Sequence, residues 1–287
     1  MAVFIIIALQ YLVSAKAGFV NYVDGQANVQ IHQQVSEGMP IETAARSHVE
    51  VLLNPGSFLR LGEQSSVVFD SIDLTNIALR VLDGAAMIEV AEVDKHMPIR
   101  VLTGNLQTVI VSPGLYRFSG DTAVVVDGKL RTVDSSKTVK KRQQITSTSD
   151  GYVESRTALA FADGLDRWSA QRSSDVARAN VLAYRSYSAG SVYAFGGYSP
   201  YFLSGSSWFY SPLLSGFTFV PIAGYRSYYG YRFVPLSSFG TAPIRPGRSA
   251  PSIHSSTRRT GSASHGPTTS HSSLAHSRGG HMGGGRK

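Results

Sequence analysis

Cysteine is absent from the 287 residues. That excludes thiol nucleophiles, Fe–S clusters, Cys-based zinc sites and a lipid-anchored N-terminal Cys, while saying little about compartment, since a large core can dispense with disulfides. No Asp or Glu follows Asp175. Up to that point 16 Lys and Arg stand against 19 acids, and the remaining 11 basic residues lie beyond it, so the formal net charge of +8 belongs to the C-terminal portion. No basic patch is therefore read onto the N-terminal part. A run of about 20 apolar residues, the length a membrane span needs, is also missing, because Lys16 interrupts the best candidate.

That candidate is the opening stretch, "MAVFIIIALQYLVSAKAGF". An apolar run from Ala2 to Val13 precedes Ala15-Lys16-Ala17, and signal peptidase accepts only small side chains at the first and third positions of such a triplet. The expectation is a signal peptide over residues 1–17, cleaved after Ala17. No Lys or Arg precedes the run, so the n-region is atypical, and a buried strand or helix is the alternative reading.

From Gly18 to about Ile145 apolar residues alternate with polar ones, as in Val49, Val51 and Leu53, or Leu59 and Leu61, or Ile99 and Val101. Period-2 spacing puts each set on one face of a strand. Asp24-Gly25, Pro55-Gly56, Asp83-Gly84, Pro113-Gly114 and Asp127-Gly128 punctuate the runs. Asp-Gly supplies the positive φ of a tight hairpin, and Pro-Gly presets one φ before allowing a reversal. The expected fold class is mainly β, solenoid-like or sandwich-like, over residues 18–145.

"VLLNPGSFLRLGEQSSVVF" (51–69) lines up with "VIVSPGLYRFSGDTAVVV" (109–126), strand, Pro-Gly, aromatic, Arg, Gly, then strand again. The recurrence marks Pro-Gly as a structural corner, since a catalytic loop is more often unique in its domain. Together with "GFVNYVDGQANVQ" and "LDGAAMIEV", these stretches resemble the FecR-domain family, in particular the exported form found in some soil bacteria. The resemblance runs from about Gly18 to Val133 and continues through "DRWSAQRSSDVARANV". It implies an all-β domain outside the cytoplasmic membrane. In the best-known members that domain follows an anti-sigma segment and a transmembrane helix and takes a signal from an outer-membrane transporter. Only the expected signal peptide precedes residue 18 here, so sigma-factor control is not carried over.

Residues 146–162 read as a polar linker and 163–189 as a helix. Asp163 suits the N-cap and Asp166 the first turn, Leu165, Trp168, Val176 and Tyr184 share a face, and Gly190 stops it. The expectation is that the helix packs on the β domain through Trp168. Residues 190–240 form an aromatic segment rich in Gly, Ser and Pro, and Tyr184 to Phe239 holds 18 of the chain's 29 aromatic residues, which points to short hairpins laid over the β domain. Residues 241–287 are Ser, Gly, Arg, His, Pro and Thr, too polar to offset ordering entropy, and read as disordered.

Glu92, Asp94 and His96 would share one face of an extended strand and offer oxygen and imidazole ligands, but a charged trio just before Met97-Pro98 reads first as a solvated hairpin end. No nucleophile motif surrounds His32, His48 or His96, so neither catalysis nor a cofactor is expected. His254, His265, His271, His276 and His281 lie in the basic tail, where spaced histidines suit weak metal binding and Arg with neighbouring aromatics suits single-stranded nucleic acid. Outside the cell such a tail more naturally meets anionic polysaccharide or acidic proteins.

The reading that follows is an exported, non-enzymatic FecR-like scaffold of the periplasm or cell surface whose partner is an envelope protein or anionic polysaccharide. A second reading is a carbohydrate-binding or adhesive module stacking Tyr201, Trp208, Phe209 and Tyr210 on sugars. Nucleic-acid binding through the tail is a third, conditional on retention in the cytoplasm.

Overall fold

A computed structural model describes residues 15–134, 136–157, 163–188 and 205–240. The alternation read from the first half becomes fifteen strands: β1 (Phe19–Asp24), β2 (Pro40–Glu42), β3 (His48–Leu52), β4 (Ser57–Leu61), β5 (Ser66–Ser71), β6 (Ile77–Asp83), β7 (Ala85–Val90), β8 (Ile99–Thr103), β9 (Leu106–Ile110), β10 (Gly114–Ser119), β11 (Thr122–Asp127), β12 (Lys129–Thr132), β13 (Thr138–Lys140), β14 (Gln143–Thr148) and β15 (Gly151–Arg156). They divide into an eight-stranded sheet, order β1-β3-β4-β7-β10-β11-β14-β15, and a seven-stranded sheet, order β13-β12-β9-β8-β6-β5-β2. Every pairing is antiparallel except β6 with β8. The apolar faces of both sheets contribute to one core, in which Val51, Leu59 and Ile88 from the first meet Phe69, Leu79 and Val101 from the second. The architecture is thus sandwich-like.

The Pro-Gly units are corners, as expected, and flank the same strand. Ser57 and Gly114 both stand opposite Val90, on either side of β7. The first corner closes the β3–β4 hairpin, with Leu53 N–H donating to the Ser57 carbonyl at 3.0 Å. The second carries the chain from β9 in one sheet to β10 in the other. The Asp-Gly pairs behave differently from the hairpin expectation. Asp83-Gly84 and Asp127-Gly128 lie between strands of different sheets, so the positive φ of Gly84 (69°) and Gly128 (97°) steers a crossing instead of closing a hairpin. Residues 146–156, expected in a linker, finish β14 and form β15, which pairs with it. Their polar sequence suits an edge strand exposed on both faces.

Helix α1 (Gly164–Ser188) starts where expected, with the Asp163 carboxylate accepting the Asp166 N–H at 3.0 Å. Gly190 lies outside the described residues. Beyond it, β16 (Ser207–Ser211) pairs with β17 (Gly216–Val220), β18 (Tyr225–Arg226) pairs with β19 (Arg232–Phe233), and a short helix α2 (Leu236–Gly240) closes the described chain. With α1 these hairpins form a third layer on the outer face of the eight-stranded sheet, packing Val176, Trp208, Phe217, Phe219 and Phe233 against Phe19, Leu52 and Phe58. Ala17, the expected cleavage position, is itself buried, donating its N–H to Ile72 O at 2.9 Å and accepting from Gln34 at 2.6 Å.

Candidate functional site

Strand alternation that sends Val49, Leu59 and Ile88 inward sends Glu50, Arg60 and Glu89 outward, beneath α1. Glu50 and Arg60 are directly opposite across β3 and β4. Arg60 Nε donates to Glu50 Oε2 at 3.0 Å, and its Nη1 donates to Glu89 Oε2 at 2.8 Å and to Ser169 Oγ at 2.8 Å. From the helix, Arg172 donates to Glu50 Oε1 at 2.8 Å, and its guanidinium lies 4.1 Å from the Tyr22 ring centroid. Asn21 also donates to Glu50 Oε1 at 2.8 Å, while its amide oxygen accepts the Phe217 N–H at 2.6 Å and so ties β1 to β17. Two carboxylates and two guanidinium groups therefore neutralise one another with Glu50 and Arg60 fully buried.

Burial alone would raise the Glu50 carboxyl, but Arg172 and Arg60, with bonds from Arg172 and Asn21, outweigh it and hold the group at about 2. Burial would likewise lower Arg60, and Glu89 and Glu50 push it upward instead. Tyr229 donates to Ser169 Oγ at 3.0 Å and is pushed up to about 12, chiefly by burial. Such a set supplies neither an accessible base nor a free acid. What it does is fix the position of the helix and hairpins on the sheet.

The helix register is held further by Asn180, which donates to Phe219 O at 3.0 Å and Val234 O at 3.2 Å, and by Thr218, which donates to Val176 O at 2.6 Å. Trp168 does contact the β domain, stacking on His48 with ring centroids 4.7 Å apart and donating to Asp24 at 3.1 Å. It sits half-buried, however, and beside Leu165 and Val176 the helix also buries polar side chains in this contact: Ser169, Arg172, Ser173 and Asn180.

Of the four aromatic residues named for sugar stacking, two are enclosed. Trp208 is wholly buried, its ring 5.1 Å from Phe58 and 6.1 Å from Phe219, and Phe209 is buried with Val220 and Phe239. Tyr210 is half-buried against Phe217, and Tyr201 lies outside the described residues. Because β16 and β17 pack on both faces, no ring face of Trp208 or Phe209 is left for a sugar, contrary to the stacking expectation. The tail histidines likewise lie outside the described residues.

Glu92, Asp94 and His96 line an open cleft of about 540 Å³ beside the Pro-Gly corner, with Asn54, Pro55 and Ser206. They do not converge, because β7 ends at Val90 and the chain then turns, with Asp94 accepting the His96 N–H at 2.8 Å and Glu92 accepting from Ser206 at 2.8 Å. Among the described residues no group of three His, Asp or Glu is placed to hold a metal ion.

Sequence reasoning missed the Glu50–Arg60–Glu89–Arg172 cluster and the pairing of Arg226 with Arg232 across β18 and β19. A signal for the first was present: Leu52 and Phe58 are apolar at outward positions of β3 and β4, as in strands covered on both faces, and a charge in such a strand needs a partner.

Residues 39–131 match the model of the FecR protein family. Among solved structures, two crystal structures of a candidate anti-sigma factor from Parabacteroides distasonis ATCC 8503 are 15% and 16% identical over 47% of this chain, each with a TM-score of 0.36. The chain spans 64% of the length of those structures. No curated protein matches it.

Proposed function

We propose that this chain, whose residues 39–131 are a FecR domain, is an exported, non-enzymatic scaffold of the cell envelope, a signalling-related module that acts by binding. The observation that carries this reading is the use made of its buried charges. Glu50, held at about 2 and bonded on both oxygens, is too weak a base and too enclosed to serve chemistry, and Arg60 is held between the Glu50 and Glu89 carboxylates through Nε and Nη1. A network of that kind rigidifies, and it joins the FecR domain, α1 and the aromatic hairpins into a body with a fixed outer surface, which suits recognition. Export draws support from the apolar run ahead of Ala15-Lys16-Ala17. No described helix is long and apolar enough to cross a membrane.

N-terminal sequencing of protein recovered from fractionated cells tests the reading. The expected result is an envelope or periplasmic species that lacks residues 1–17. An intact N-terminus in the cytoplasmic fraction alone would overturn it.

A further inference from the structure

The β18–β19 hairpin is built in two layers. Tyr225 and Phe233 face inward, their rings 5.3 Å apart and each 5.9 Å from Phe219, and Tyr229 reaches the buried cluster through Ser169. Arg226 and Arg232 stand directly opposite each other across the two strands, both exposed, and the turn between them exposes Tyr228 (38%) and Tyr231 (36%). Residues in such a pair project on the same side with their Cβ atoms about 5 Å apart, so two like charges meet at a cost. Among the described residues no carboxylate is within ion-pair distance of either arginine. The tip is held firmly: Gly230 N–H donates to Ser227 O at 2.9 Å, Ser227 N–H to Tyr231 O at 2.9 Å, and Arg226 to Gly230 O at 3.3 Å.

We propose that this hairpin is a contact site for anionic polysaccharide, with Arg226 and Arg232 receiving sugar carboxylates and Tyr228 and Tyr231 packing against the rings. Two exposed arginines at one cross-strand position supply the planar, multiple donors that carboxylates accept, and an incoming anion would relieve the repulsion between their like charges. Exposed tyrosines beside the pair add apolar ring faces at low entropic cost. Because the tip is anchored through Tyr225, Tyr229 and Phe233, its presentation does not have to be ordered on binding. The site deepens the envelope reading and rests on it for where such a glycan is met, though the contact itself is measurable on purified protein wherever the chain resides.

The test is affinity electrophoresis of the full chain in gels containing polygalacturonate, with neutral dextran as the control. Retardation is expected in polygalacturonate only. Arg226→Gln/Arg232→Gln should weaken it roughly tenfold, the loss expected when charge-assisted contacts are removed, and Tyr228→Ser/Tyr231→Ser should weaken it several-fold. Thermal unfolding of the arginine variant is expected to be close to that of the wild type, since loss of the exposed Arg226 bond to Gly230 O is offset by removal of a like-charge pair. The basic tail is present in every variant, so a difference between them belongs to the hairpin. Equal retardation of wild type and the arginine variant, or no retardation of the wild type, would overturn the proposal. So would a tyrosine variant that binds as wild type, which would mean a bare anion contact and not recognition of a glycan.

Discussion

Arg60 Nε lies 3.0 Å from Glu50 Oε2, on neighbouring strands of one sheet, and neither side chain exposes more than 1% of its surface. A pair so enclosed is worth little against an apolar substitute, but removing one partner strands the other. Arg172 is the partner that comes from the helix.

Arg172→Met should therefore destabilise the protein by about 3–5 kcal/mol, because Glu50 loses its helix-side counter-charge while remaining buried. Adding Glu50→Gln should return part of that loss. Urea denaturation of the wild type, both single variants and the double variant measures the coupling. Additive losses would mean that Arg172 and Glu50 do not depend on each other.

Stability should respond to acid through Glu50. Its folded value of about 2 is below the ordinary 4.5, so its contribution is complete above pH 4.5 and disappears as the pH falls through about 2. The amount is on the order of 3 kcal/mol. Asp166 works in the opposite sense: burial first, helped by Asp163 and opposed by Arg117, raises it from 3.8 to about 6. The stability it lends is full below pH 3.8 and is lost as the pH rises through about 6. Equilibrium unfolding from pH 2 to 7 should show the acid limb shrink in Glu50→Gln and the decline between pH 4 and 6 flatten in Asp166→Asn.

How much of this could be read from the chain differs by layer. Val49, Leu59 and Val101 alternate because the core lies on one side of each strand, and that pattern yields the β architecture. Asp163 announces the helix because an N-cap is local chemistry. Leu165 and Val176 were legible as part of the helix face, but the polar members that share it were not: Ser169, Arg172, Ser173 and Asn180 have helical spacing, and a search for apolar periodicity passes over them. Whether Trp208 is exposed or buried stays open in the sequence, because an aromatic in a Gly- and Ser-rich stretch fits either until its sheet partner, Phe219, is known. Sheet assignment of the Asp-Gly turns was likewise out of reach, since the same dipeptide serves a hairpin or a crossing and only long-range pairing decides.

Gly56→Ala tests the first Pro-Gly corner. Gly56 has φ +85°, and a Cβ there would sit 2.7 Å from the Phe219 ring and 2.9 Å from Ala91. Strain and overpacking together should cost about 1–3 kcal/mol. The damage should appear first in the aromatic layer, as altered near-UV circular dichroism at unchanged far-UV signal.

Trp208→Ala should lower stability by about 3–5 kcal/mol, as for any large ring removed from a core. Acrylamide should quench Trp168, which is half-buried, more readily than Trp208, and comparison of the two single-tryptophan proteins resolves them. Equal quenching would contradict the buried position of Trp208.

The family match stops at residue 131, inside β12 (Lys129–Thr132), and begins beyond β1. A piece cut to those limits would leave Phe58 without the helix and hairpins that cover it, and Glu50 without Arg172 and Asn21. The stretch that matches the family and the stretch that these contacts tie together thus have different limits, and expression trials trimmed to residues 39–131 should yield insoluble material.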